Sequence, residues 1–94
     1  MLMSNPDPSD ETALTIFGRT VRAFRKEQGL SLRGFAEKTG IHRSHLSQIE
    51  LGRVSVTLDT LLCLAYALDM EVSELLRPLD MHRELYRATG KDMP

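Results

Sequence analysis

A cluster of polar side chains falls on one face of a short predicted helix, at about residues 43–51. Leu46 and Ile49 would point inward from this helix, and its outer face lacks bulky apolar residues. The residues on the outer face are Arg43, Ser44, Ser47 and Gln48. Arginine can bind guanine O6 and N7 bidentately, glutamine can pair with adenine, and serine adapts to several bases. Since a helix fits the major groove, we interpret this face as one that reads DNA base edges, the alternative being an ordinary solvated surface.

The elements around this helix are predicted to hold it in a helix-turn-helix arrangement. The segment 30–52 reads as two short amphipathic helices joined by a tight turn at Gly40. Ser31 is suited to cap the first helix, because its hydroxyl can accept from a free amide of the first turn. Phe35 and Ala36 would then face the core.

Charge is distributed unevenly along the chain. The formal net charge is −1. Between residues 16 and 56, however, eight Lys/Arg stand against three acidic residues, whereas residues 1–15 and 57–94 are both acidic. Positive charge is therefore concentrated on the motif, as contact with a phosphate backbone requires.

The remaining chain is predicted to be helical apart from its ends. Helix 1 should cover about 15–27, Thr57 should cap the very apolar helix 4, and helix 5 should stop before Pro78. Cys63 lies on the apolar helix 4 and is interpreted as a small buried hydrophobe. We expect three parts: a disordered acidic tail (1–13), a helix-turn-helix domain (14–77) and a C-terminal helical extension (78–94), with a last helical segment at about 80–88.

Several classes of function are disfavoured by the sequence. No apolar run approaches the ~20 residues that span a bilayer, and the acidic N-terminus does not resemble a signal peptide. A single cysteine fits a reducing cytoplasm. His42 and His45 are only two potential ligands, so we expect no metal site and no cofactor. The sequence contains neither a nucleophile elbow nor a phosphate-binding glycine loop, so we do not expect the protein to be an enzyme.

The chain resembles the phage-repressor/Cro-like helix-turn-helix family of bacterial and phage transcription regulators over about residues 17–76. The residues that carry the resemblance include Arg25, Gly29, Ala36, Gly40, Arg43, Leu46, Ile49, Glu50, Gly52, Thr57 and the leucine-rich segment 61–68. The segment Arg43-Ser44-His45-Leu46-Ser47 is also similar to the corresponding helix of restriction–modification controller proteins. The resemblance implies an all-α, five-helix repressor-like DNA-binding domain.

The resemblance also implies roles for individual residues. It places base reading at the positions of Arg43, Ser44, Ser47 and Gln48. It implies a structural salt bridge between Arg25 and Glu50, and a phosphate contact by Arg53. The phosphate-contacting glutamine that the family often has is Leu32 here, so the neighbouring Arg33 is the candidate for that contact. His45 is a further candidate for a phosphate contact, and His42 stands where the family usually has a Ser or Thr cap.

We expect the chain to act as a sequence-specific transcriptional regulator that binds a near-palindromic operator as a homodimer. Two recognition helices must then be held about 34 Å apart. The predicted dimer interface consists of apolar residues near the C-terminus: Leu75, Leu76, Leu79, Met81, Leu85 and Tyr86. The alternative is that this segment folds back onto helices 1 and 5. A second functional hypothesis is an antitoxin, or another protein-interaction module that also binds DNA.

Overall fold

The computed structural model describes residues 11–82, which form five α-helices and no strand. The helices are α1 (Ala13–Glu27), α2 (Leu32–Thr39), α3 (Arg43–Glu50), α4 (Leu58–Ala67) and α5 (Val72–Asp80). This arrangement confirms the predicted all-α, five-helix class. Among these helices, none has the length and apolar character needed to cross a lipid bilayer.

The N-terminal end of α1 lies earlier than predicted. Thr12 is the N-cap, and its hydroxyl accepts from the Thr15 amide at 3.2 Å. The Thr15 hydroxyl in turn accepts from the Thr12 amide at 2.8 Å, which completes a reciprocal capping box. Helix α1 therefore begins two residues before the predicted start at residue 15, because two threonines three residues apart satisfy the free amides of the first turn.

The core is formed by side chains from all five helices. Its fully buried members are Val21, Phe35, Leu46, Ile49, Leu64, Leu68 and Leu75. Phe17 is also buried and Phe24 is partly buried against the same cluster, so with Val21 they form an apolar stripe along α1. Both helices of the motif are thus held by burial of one face, as expected for amphipathic elements.

Helix α1 and helix α3 approach so closely that only glycine fits at their contact. A Cβ atom placed on Gly18 would lie 2.4 Å from the Ile49 carbonyl oxygen and 2.6 Å from that of Glu50. Real atoms do not approach at such distances, so the absent side chain is what allows α3 to lie against α1.

The predicted caps of the motif are present. Ser31 accepts from the Gly34 amide at 3.0 Å, and Thr57 accepts from the Thr60 amide at 3.1 Å. Gly40 ends α2 in the left-handed region, with φ of 75°. That conformation carries little steric cost for glycine, and it redirects the chain into α3.

Two predictions about the C-terminal half are wrong. Cys63 is exposed, because the inner face of α4 is taken by Leu61, Leu64 and Ala65. Helix α5 does not stop before Pro78 but continues through it to Asp80. A proline inside a helix removes one backbone hydrogen bond, and here the packing of α5 against α1 retains the helix. Of the predicted last helical segment, residues 83–88 lie outside the described residues.

Candidate nucleic-acid interface

The outer face of α3 carries the predicted base-reading residues side by side. Arg43 and Ser44 are exposed, as is His45, while Ser47 and Gln48 are half-buried. On the opposite face Leu46 and Ile49 are fully buried. The helix is therefore anchored by one face and offers a row of hydrogen-bonding side chains on the other.

His42 caps α3 with its ring. The Ser44 amide donates to His42 Nδ1 at 3.1 Å, and Ser44 Oγ lies 2.9 Å from the same nitrogen. The ring nitrogen thus satisfies one of the free amides in the first turn of α3. The ring takes the place of a Ser or Thr cap, and it holds the Ser44 hydroxyl at the helix start.

A buried ion pair connects α1 to α3. Arg25 Nε donates to Glu50 Oε2 at 2.7 Å, and Nη2 donates to Oε1 at 3.0 Å. Arg25 Nη1 also donates to the Leu30 carbonyl at 2.8 Å, just before α2. Both charged side chains are buried, and within residues 11–82 no buried side-chain nitrogen or oxygen lacks a partner. The bidentate geometry fixes α3 relative to α1 and to the entry of α2.

Two of the candidate phosphate-contacting residues, Arg33 and Arg53, lie near opposite ends of α3, and the third, His45, lies within it. Arg33 lines a shallow cleft at the turn between α2 and α3, together with His42 and Arg43. Arg53 is exposed and follows Gly52, beyond the C-terminal end of α3. The Arg53 amide donates to the Gln48 carbonyl at 3.0 Å, so the backbone at this position is tied to the helix. Basic groups therefore flank the polar face of α3 on both sides.

Two further arginines border this surface and were not among the predicted site residues. Arg19 and Arg22 of α1 line a groove that Ser47 and Leu51 also line. Arg19 Nη2 is paired with Glu11 Oε2 at 2.9 Å. Their spacing of three residues places both on one face of α1, and this spacing within the basic segment is the sequence signal by which they could have been identified.

The residues of the predicted C-terminal dimer interface differ in their exposure, and one of them is buried within the domain. Leu75 is fully buried in the core of its own domain and cannot reach a second copy. Leu76 and Leu79 line an apolar groove against α1, as the alternative of folding back onto the domain implied. Met81 is exposed. Leu85 and Tyr86 lie outside the described residues.

Acidic and metal-ligating side chains do not form a cation site in the described part of the chain. Between residues 11 and 82, no group of three or more His, Cys, Asp or Glu is placed to hold a metal ion. The chemistry available on this surface is that of arginine, serine, glutamine and imidazole groups, which bind phosphates and base edges.

Comparison with known proteins places this geometry in a family. The helix-turn-helix family profile matches residues 21–75. The chain is 39% identical over 61 residues to the control protein C.SmaI of Serratia marcescens. The aligned region covers 65% of this chain and 73% of that relative. The chain is 40% identical over 58 residues to the immunity repressor protein of Bacillus phage phi105, covering 62% of this chain but only 40% of the repressor.

Solved structures show the same fold. The restriction-modification controller protein C.AhdI from Aeromonas hydrophila is 40% identical, with a TM-score of 0.65, over 66% of this chain and 94% of that chain. The clp gene regulator ClgR from Corynebacterium glutamicum is 27% identical, with a TM-score of 0.71, over 78% of this chain and 95% of that chain. The described helices are thus similar to those of two regulators of different named roles.

Proposed function

Because this chain belongs to the helix-turn-helix family of transcription regulators, we propose that it binds a specific double-stranded DNA operator through α3. Arg43, Ser44, Ser47 and Gln48 read base edges in the major groove. Arg33, His45 and Arg53 contact phosphates on either side. The buried Arg25–Glu50 pair maintains the angle at which α3 is presented.

The observation that carries this proposal is the two-sided character of α3. One face is buried completely, at Leu46 and Ile49, and the other offers only polar side chains with arginines at both ends. Base contacts require hydrogen-bonding groups held in a fixed position, since a loosely held helix loses the geometry that distinguishes one base from another. Here the ion pair and the contact at Gly18 supply that rigidity.

We further propose a homodimer on a near-palindromic operator. A helix of eight residues, Arg43–Glu50, reaches only a few base pairs, which is too little to select one site in a genome. Two copies related by a two-fold axis double the sequence that is read and require two half-sites about one helical turn apart.

Selection of bound sequences from a random DNA pool tests this proposal. We expect an enriched motif of two inverted half-sites with centres about 10 base pairs apart. The matched control is the Arg43→Ala, Gln48→Ala double variant, which should fold but lose enrichment at defined base pairs in each half-site. A wild-type chain that enriches no sequence would contradict DNA recognition, and a single unpaired motif would contradict the palindromic operator.

A further inference from the structure

A groove between α1 and α3 carries an arginine that is already paired with an acidic residue. The groove has a volume of about 580 Å³ and borders the polar face of α3 at Ser47. Arg19 of α1 lines this groove, and its Nη2 donates to Glu11 Oε2 at 2.9 Å. The side chain of Arg19 is 55% exposed. Its guanidinium is therefore accessible to a ligand in the groove, but a carboxylate of the same chain already occupies it.

The other charged groups of the groove make this pairing consequential. Arg25 and Glu50 also line it, but they are buried and bonded to each other. Arg22 lines it as well and is exposed. Two exposed guanidinium groups thus face the groove, and Glu11 compensates the charge of one of them. The groove presents less positive charge to an approaching anion than its arginines alone would give it.

The groove lies where a DNA backbone would pass if α3 entered the major groove. The major groove is about 12 Å wide and a helix with its side chains is about 10–12 Å across, so a phosphate backbone runs close to each side of the helix. The beginning of α1 lies against the C-terminal end of α3, since a Cβ atom on Gly52 would be 2.6 Å from Thr15 Cα. Arg53, a proposed phosphate contact, follows Gly52 directly. Arg19 follows Thr15 by four residues, which places both on one side of α1.

We propose that Glu11 and a DNA backbone phosphate compete for Arg19. Arginine pairs with carboxylates and with phosphates through the same charge-assisted hydrogen bonds, so a phosphate can replace the carboxylate. The inference rests on the proposed function, because it adds a contact to the same interface. Arg19 is then a further phosphate-contacting residue, and Glu11 is a built-in competitor that lowers affinity for every DNA sequence.

The competition should have a modest effect that depends on salt. Exposed ion pairs are weak, so releasing Arg19 from Glu11 should strengthen DNA binding by roughly two- to fivefold for each subunit. In a homodimer the two factors multiply, to roughly 4- to 25-fold. One more phosphate is then neutralised in each subunit, so the slope of log affinity against log salt should steepen by up to about 0.9 for each.

Titrations of labelled DNA with the full chain test the competition. The test variant is Glu11→Gln, which removes the charge and leaves the capping box of Thr12 and Thr15 in place. The matched control is Glu27→Gln, which makes the same change in net charge at an exposed residue at the other end of α1. We expect tighter binding and a steeper salt slope for Glu11→Gln, and wild-type behaviour for Glu27→Gln. All three proteins should show the same helical content by circular dichroism.

A second comparison separates competition for Arg19 from direct repulsion between Glu11 and DNA. Arg19→Ala should weaken binding to every sequence, because a phosphate contact is lost. In the Arg19→Ala background, Glu11→Gln should change affinity no more than Glu27→Gln does, since no guanidinium remains for the carboxylate to withhold. An undiminished gain in that background would show that Glu11 repels DNA directly, and it would overturn the competition.

The use of two duplexes separates this inference from the proposed function. Phosphate contacts carry no sequence information, so Glu11→Gln should strengthen binding to a selected operator and to a mixed-sequence duplex by the same factor. If the wild type selects an operator but Glu11→Gln binds no tighter than Glu27→Gln, the competition is wrong and the proposed function stands. If no sequence is selected but Glu11→Gln binds the mixed-sequence duplex more tightly, the reverse holds. A chain that binds neither duplex overturns both.

Discussion

At the scale of single residues, Arg43 and Arg53 flank the recognition helix but are expected to contribute in different ways. Arg43 begins α3 and lies on its exposed face, where a guanidinium can reach a base edge. Arg53 lies beyond the C-terminal end of the helix, where we expect its guanidinium to contact the phosphate backbone. Contacts of the first kind select a sequence, and contacts of the second kind add affinity for every sequence.

Replacement of each arginine by alanine should therefore give two different binding profiles. Arg43→Ala should cost about 1–3 kcal/mol and relax the preference at one base pair in each half-site. Arg53→Ala should weaken matched and mismatched operators alike and lower the slope of log affinity against log salt by about 1 for each phosphate that is no longer neutralised. Titrations of both variants on both operators measure this, and identical profiles would refute the two roles.

The Arg25–Glu50 pair permits a test of how the recognition helix is held. Both side chains are buried and joined by two hydrogen bonds, so removing one leaves the other charged and without its partner. Arg25→Ala or Glu50→Ala alone should lower the free energy of unfolding by about 3 kcal/mol. The double variant should recover part of that loss. Denaturant melts of the two single variants and the double variant measure these losses. If the loss in the double variant equals the sum of the two single losses, the pair does not interact.

At the scale of elements, the contact between α1 and α3 depends on a residue without a side chain. Gly18 faces the last carbonyl groups of α3, and a Cβ there would overlap the oxygens of Ile49 and Glu50. Gly34, in α2, provides the contrast, because a Cβ there would lie 3.4 Å from the nearest atom, Ser31 Oγ. Both glycines lie inside helices, so alanine gains helix propensity at both positions, and only the packing differs.

The same substitution should have opposite effects at these two positions. Gly18→Ala should destabilise the fold by about 1–3 kcal/mol, because the helices must move apart. Gly34→Ala should stabilise it by about 0.5–1 kcal/mol, because alanine loses less backbone entropy on folding. Thermal melts of the two variants measure the difference. Equal shifts would show that α1 and α3 adapt to a side chain at position 18.

At the scale of the whole molecule, charge segregation governs how an acidic protein approaches DNA. The sequence pI is about 6.3, yet the basic residues are concentrated between 16 and 56, in the helices that carry the candidate interface. The acidic residues of the segment 57–94 lie outside α1, α2 and α3 in the chain. Local potential, more than net charge, sets attraction to phosphates at short range.

Operator binding should consequently depend strongly on salt in spite of the net negative charge. A homodimer that contacts about six phosphates should lose roughly a thousandfold or more in affinity between about 50 and 200 mM salt, because binding releases condensed counterions. Titrations of labelled operator across that range measure the slope. A slope near zero would mean that the basic segment does not lie on the phosphate backbone.

The sequence alone determined the helical motif and the exposed polar face of α3, because both follow from local rules. Apolar spacing predicted the motif helices α2 and α3, Ser31 and Thr57 were predicted as caps, and Gly40 was predicted as the tight turn. Local signals misplaced the C-terminal elements, since Pro78 was read as a stop and α5 continues through it. Packing against α1 outweighed one missing hydrogen bond, and that balance depends on contacts between distant residues.

Only the tertiary structure decided which of the apolar residues remain exposed. Helix α4 is apolar around most of its circumference, so periodicity could not distinguish its inner face from the stripe at Leu58, Leu62 and Tyr66. Leu75 looked equally available in the sequence but is fully buried, because α5 folds onto the domain. Burial is a property of the packed helices together. For that reason the sequence predicted the polar face of α3, whereas the exposed apolar face of α4 became visible only in the fold.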